Sequence, residues 1–121
     1  LILTARTFDA EEADRIGFVS RVGPDGSVVD FACRVAGRPS VRDVNNALRA
    51  AAAGPMARLI EYSEAPLVST DIIGNSHSSI FDALSTQTHE DGWVRVVAWY
   101  DNEWGYSNRV VDLIDRLVAI G

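Results

Sequence analysis

Residues Trp93–Ile120 read WVRVVAWYDNEWGYSNRVVDLIDRLVAI. The first seven, WVRVVAW, are rich in β-branched and aromatic residues, which pack well on a pleated surface and predict a strand over Trp93–Trp99. Further on, Val110, Val111, Leu113, Ile114, Leu117 and Val118 recur at helical spacing and form a broad apolar face. This predicts a helix from about Ser107 to Ile120. A strand feeding an amphipathic helix implies a sheet with helices laid against it.

The remainder of the chain extends this pattern. Val29, Phe31, Cys33 and Val35 alternate with Asp30 and Arg34, the signature of a strand buried on one side. Ser40–Ala53 predicts a helix. Ser40 suits the N-cap, Asp43 sits in the first turn where the dipole favours an acid, and Gly54-Pro55 stops the run. Its apolar stripe is Val41, Val44, Ala47, Leu48 and Ala51. Asp9–Ile16 predicts a short helix with Asp9 and Glu12 in capping-box spacing, closed by Gly17. Phe18–Val22 predicts a strand, Gly23-Pro24-Asp25-Gly26 a turn, and Leu67–Thr70 a short strand. Strands and helices thus alternate, and the expected class is α+β.

Composition excludes several roles. The chain has 121 residues, about one domain's worth, with a formal net charge of -6, and all 11 basic residues are arginine. With no basic run there is no electrostatic footprint for nucleic acid. No apolar stretch is long enough to span a membrane, and no leader pattern precedes the first strand. Cys33 is the single cysteine, so an internal disulfide framework is excluded. His77 and His89 have no cysteine or histidine at metal-ligand spacing, and no metal site is expected. These features favour a reducing, cytoplasmic setting. The chain begins at Leu1 rather than Met, as a piece of a longer protein would.

Three segments carry a family resemblance. Trp99–Asp112, WYDNEWGYSNRVVD, resembles the C-terminal signature of phosphorylating glyceraldehyde-3-phosphate dehydrogenases. Leu67–Ala83, LVSTDIIGNSHSSIFDA, resembles the preceding segment of that family, and Ser27–Tyr62 matches its strand, helix and Gly-Pro turn. The resemblance covers roughly residues 17–121, and Tyr100 suits this family better than its erythrose-4-phosphate paralogues, which tend to carry cysteine there. Leu1–Val22, LILTARTFDAEEADRIGFVSRV, is instead similar to a segment of the enoyl-CoA hydratase (crotonase) family. The two overlap at Gly17–Val22. The chain therefore reads as a chimera or fragment, one domain over 1–121 with a crotonase-like part at 1–22 and a dehydrogenase-like part at 23–121. It could be shuffled or engineered, or a natural rearrangement.

The resemblance implies a partial catalytic domain, with a mixed or antiparallel sheet and helices packed on one face. It also implies NAD as the parent family's cofactor, and a glycolytic oxidoreductase acting on an aldehyde. By the same resemblance, Asn102 matches the asparagine that hydrogen-bonds the nicotinamide carboxamide. Tyr106 matches the tyrosine packed near the nicotinamide ring. Arg21 matches an arginine that helps bind substrate phosphate, a role suited to a guanidinium fork. No catalytic residue carries over. The family's thiolate nucleophile sits in an S-C-T-T-type motif that does not occur here, and Cys33 reads as a small buried core residue of a strand. No G-x-G-x-x-G opens a helix, so the chain carries no dinucleotide-binding turn.

His77, in NSHSS, invites a serine–histidine reading but lacks a spaced acid and an oxyanion loop. His89 reads as a solvated turn residue, and Glu11, Glu12 and Asp14 as a solvated helix face. Glu103 and Asn108 are expected to cap or brace the last helix, and Trp93, Trp99 and Trp104 to build core and interface. Three functions stand side by side: a dehydrogenase fragment binding no NAD by itself, a noncatalytic self-associating module, and a crotonase-like CoA binder. In the family this sheet contributes to a subunit interface, and a truncated sheet leaves apolar rows uncovered. A homo-oligomer with a sheet face or edge at the contact is therefore expected, with no nucleic acid and no membrane as partner.

Overall fold

The computed structural model describes the backbone of residues 18–22 and residues 28–121 in full. The helix expected over Asp9–Ile16, the turn at Gly23–Gly26 and most of the crotonase-like segment lie outside the described residues. Five strands form one mixed sheet: β1 (Phe18–Val22), β2 (Val28–Arg34), β3 (Ile60–Ser63), β4 (Ser79–Thr88) and β5 (Trp93–Trp99), in the order β1-β2-β5-β4-β3. Every neighbouring pair is antiparallel except β3–β4, which is parallel. Two α-helices complete the fold, α1 (Val41–Ala53) between β2 and β3 and α2 (Asn102–Ile120) after β5. This is the expected α+β class.

The register explains the faces. Val29 opposes Ala98, Phe31 opposes Val96 and Cys33 opposes Val94, so the alternation of β2 continues across β5 as one apolar face. On the other face, Asp30 receives a forked guanidinium from Arg95, with contacts of 2.9, 3.0 and 2.7 Å. That fork holds the Arg95 pKa above its usual value. The buried hydrophobic residues cluster on β4 and β5, with Ile80, Phe81 and Ala83 on β4 and Val94 and Val97 on β5, joined by Ile72 from the preceding loop.

α1 forms where the sequence places it. Ser40 Oγ accepts from the Asp43 amide at 3.2 Å, and Asp43 accepts from the Ser40 amide at 3.0 Å, which closes a capping box. The hydroxyl and amide of Ser40 hold the Asp43 carboxyl below the usual carboxylate range. Val44, Leu48 and Ala51 are half-buried, and Asn45 Nδ2 donates to the Ala83 carbonyl at 3.0 Å, which pins the helix over β4.

Four expectations need correction. The Leu67–Thr70 strand is instead a single 3₁₀ turn at Ser69–Ile72, because Asp71 accepts from the Val68 amide at 2.9 Å and folds the backbone back on itself. The last helix starts at Asn102, five residues before Ser107, because Asp101 caps it and accepts from the Trp104 amide at 3.0 Å. Strands β3 and β4 carry no clean alternation and were not expected. In β4 a register shift between Asp82 and Gln87 breaks the period. Cys33 is half-buried rather than in the core, since α1 packs over β3 and β4 and leaves the β1–β2 side of the sheet less covered.

Two outcomes follow for stability and reactivity. Gly92 has φ +92°, and an added Cβ would lie 2.6 Å from the Val35 carbonyl oxygen. Gly92→Ala should therefore cost about 1–3 kcal/mol in urea denaturation. Burial raises the Cys33 pKa. Its reaction with a thiol reagent at mildly alkaline pH should be several-fold slower than in the urea-unfolded chain. Equal rates would contradict its place in β2.

Candidate functional site

The start of α2 holds two of the three residues that the family resemblance singled out, Asn102 and Tyr106. Asp101, just before the helix, takes hydrogen bonds from two directions. Its carboxylate accepts from the Gly74 amide at 2.9 Å and from the Trp104 amide at 3.0 Å. These backbone donors, Gly74 first, hold its pKa below the ordinary aspartate value. The Gly74–Asp101 bond ties the 3₁₀ loop to the helix, and the positive φ of Gly74, 78°, lets the loop present that amide. One turn on, Gly105 is buried, and a Cβ there would lie 3.0 Å from the His77 carbonyl oxygen. A glycine at this place lets the helix press its backbone onto the loop.

Asn102 and Tyr106 sit four residues apart on α2, so their side chains share one side of the helix. Both are exposed, Tyr106 at 71%. The structure thus brings these two together. Arg21 is elsewhere: it lies on the edge strand β1 opposite Asp30, two strands from β5, and its side chain is outside the described residues. Asn102 and Tyr106 place an exposed amide and an exposed phenol one helical turn apart at the start of α2. The chain's 121 residues contain no glycine-rich turn to cradle a dinucleotide pyrophosphate.

A second cluster surrounds His77. Its Nδ1 lies 2.9 Å from Asn75 Oδ1 and 3.2 Å from Glu61 Oε2, and Asn75 Nδ2 donates to the same Glu61 oxygen at 2.8 Å. Among the described residues no serine hydroxyl bonds to His77. The arrangement orients the imidazole with a carboxylate and an amide, and supplies no nucleophile for it to activate. Its chemical effect is to brace the loop 75–77 against β3. Beside it opens a cavity of about 440 Å³ lined by Arg49, Ile60, Glu61, Tyr62, Glu64 and His77. There Arg49 stacks 4.7 Å over the Tyr62 ring and pairs with Glu64. His89 lies in the exposed β4–β5 turn, as expected. Among the described residues no group of three or more His, Cys, Asp or Glu could hold a metal ion. No helix there is long and apolar enough to cross a membrane.

Sequence reasoning did not assign roles to Asp101, Gly105 or Arg109. Asp101 carried a readable signal, an aspartate at the junction of strand and helix. Gly105 and Arg109 carried none, because their partners, His77, Ser78 and Arg58, are distant in sequence. Asn108 braces α2 by donating to the Trp104 carbonyl at 2.8 Å.

The cap has a pH signature. Because the folded pKa of Asp101 is depressed, its contribution is present above the unfolded value of about 4 and is lost as pH falls through the folded value. Asp101→Asn should lower the melting temperature at neutral pH, and the gap to the parent chain should narrow as the pH falls below the ordinary aspartate value of about 4. Thermal melts across that range read the effect.

Residues 16–102 match the family model described as glyceraldehyde 3-phosphate dehydrogenase, C-terminal domain. The testis-specific glyceraldehyde-3-phosphate dehydrogenase of Mus musculus is 54% identical over 91 residues, covering 75% of this chain and 21% of that protein. The Kitasatospora aureofaciens enzyme is 55% identical over 97 residues, with 79% and 29% covered. The Mycolicibacterium smegmatis enzyme is 48% identical over 99 residues, with 81% and 29% covered. The chain therefore spans between a fifth and a third of the length of these relatives. With most of its sequence under the family model and its sheet, capped helix and loop in place, the chain belongs to the glyceraldehyde 3-phosphate dehydrogenase C-terminal domain family.

Proposed function

We infer that this chain is a portion of the catalytic half of an NAD-dependent phosphorying-type (phosphorylating) glyceraldehyde-3-phosphate dehydrogenase, a cytoplasmic glycolytic oxidoreductase, and has no turnover by itself. The observation that carries this reading is the identity of about half over 91 to 99 residues, confined to 21–29% of each relative's length. Asn102 would hold the nicotinamide carboxamide, Tyr106 would lie beside the ring, and Arg21 would take the substrate phosphate. NAD, when bound, accepts the hydride. The chain's own residues orient one end of the cofactor and supply neither thiolate nor base. Cys33 is held in β2, with its thiol made less acidic by burial. His77 is engaged by Asn75 and Glu61.

Residues 1–22 have a separate origin in this reading, a crotonase-like segment joined to the dehydrogenase part near Ile16–Asp25. A second reading, a noncatalytic module that self-associates, is favoured by the seven aliphatic side chains that α2 leaves exposed between Val110 and Ile120.

With NAD, phosphate and glyceraldehyde 3-phosphate supplied together, no NADH absorbance should develop above background. NADH formation that Cys33→Ser abolishes would overturn the reading.

A further inference from the structure

Helix α2 meets the rest of the chain along one stripe. Asp101, Gly105, Arg109 and Asp112 follow one another at steps of 4, 4 and 3 residues, which stacks them on a single side of a helix. Asp101 accepts from the Gly74 amide at 2.9 Å. A Cβ on Gly105 would lie 3.0 Å from the His77 carbonyl oxygen. Arg109 donates to Ser78 Oγ at 3.3 Å and to the Arg58 carbonyl at 2.6 Å. Asp112 pairs with Arg58 and, at 2.8 Å, with Arg109. The loop therefore climbs the helix as the stripe does, with Gly74 at the cap, His77 one turn on and Ser78 one turn further.

The loop itself is fixed to the sheet. Asn75 Nδ2 donates to Glu61 Oε2 at 2.8 Å, His77 Nδ1 lies 3.2 Å from the same oxygen, and the Ser79 amide donates to the Leu59 carbonyl at 3.0 Å. The angle at which α2 leaves the sheet is thus set through residues 74–78. Asn102 and Tyr106 each follow a stripe residue by one position, about 100° further round the helix. Any roll of α2 about its axis would swing both side chains together.

Asp101 does two jobs with two atoms. Its Oδ1 accepts from the Trp104 amide at 3.0 Å and caps the helix, while its Oδ2 accepts from Gly74 and seats the helix on the loop. Serine and asparagine cap helices about as well as aspartate does. Serine has a single side-chain oxygen. Asparagine has the shape of aspartate but carries an NH2 donor in place of one acceptor, so one of the two amides is left facing a donor. Of these three residue types, aspartate alone serves both amides.

We propose that Asp101 is a positioning residue: through Gly74 it fixes the roll of α2, and so the direction in which Asn102 and Tyr106 point. This rests on the reading that those two residues meet the nicotinamide, and adds to it a residue that acts on the cofactor only through them.

The test is nuclear magnetic resonance on the full isotope-labelled chain, weakly aligned, comparing the parent with Asp101→Ser and Asp101→Asn. Residual dipolar couplings read the orientation of α2 relative to β4 and β5, and solvent exchange of the Gly74 amide reads the bond itself. In the parent, the couplings of residues 102–112 should fit the same alignment as the two strands. Both variants should keep their far-UV circular dichroism, exchange the Gly74 amide at least about tenfold faster, and lose that common fit. Exchange and couplings that stay as in the parent would make Asp101 a cap and nothing more, and overturn the proposal. If the variants lose helix, Gly105→Ala decides instead. Alanine is the better helix former, so a helix that only had to form would melt higher. Here the added Cβ should push α2 off the His77 carbonyl, and the chain should melt lower with displaced couplings. A higher melting temperature with unmoved couplings overturns the proposal. No cofactor enters these measurements, so their failure leaves the dehydrogenase reading standing. NADH formation that Cys33→Ser abolishes would overturn that reading without moving a coupling.

Discussion

The buried carboxylate of Asp82 holds the centre of the molecule together. It is 6% exposed, and it accepts from the Leu84 amide at 3.1 Å, the Ser85 amide at 3.2 Å, the Ser85 hydroxyl at 2.9 Å and the Trp99 indole at 3.2 Å. A buried charge is costly unless its lone pairs are filled, and here donors from two strands fill them. The same residue sits where the β4–β5 register shifts. Without those bonds the two strands carrying most of the core would lack a defined offset. The flanking strands β2 and β3 take their places from β5 and β4, so the sheet order inherits that offset.

The readable parts of the fold were those with local causes. Trp93–Trp99 has the composition of a strand and is one, with both ends as expected. Ser40 and Asp43 announce a capping box and form one. β4 was illegible for the reason just given: its bulge throws Leu84 outward and interrupts the period from which a strand is read. The strand expected over Leu67–Thr70 does not form, for a related reason. A run of apolar and β-branched residues favours a strand until a side-chain oxygen two or three positions along competes for the backbone amides, and Asp71 wins that competition.

The candidate site was legible only in part. Asn102 and Tyr106 are neighbours on α2, as their spacing on a helix requires, although the helix was expected to begin only at Ser107. What the sequence could not disclose is which way the helix faces. Its apolar stripe was visible, and such a stripe ordinarily marks the side turned to the core. Here long-range contacts from Arg58, Ser78 and the His77 backbone decide the matter in favour of the polar edge.

The anchoring of α2 is also uneven along its length. Asp101, Gly105, Arg109 and Asp112 all lie at its beginning or in its first eleven residues. Beyond Asp112, among the described residues, no side chain of the helix bonds to another element. Its final two turns therefore rest on intrahelical hydrogen bonds alone, and short helical segments are marginal in water without packing. The backbone amides from Leu113 onward belong to the low end of the molecule's opening energies, while those of β4 and β5 belong to the high end. The sheet is thus cross-braced along its whole width, while α2 is tied to it only through its first half.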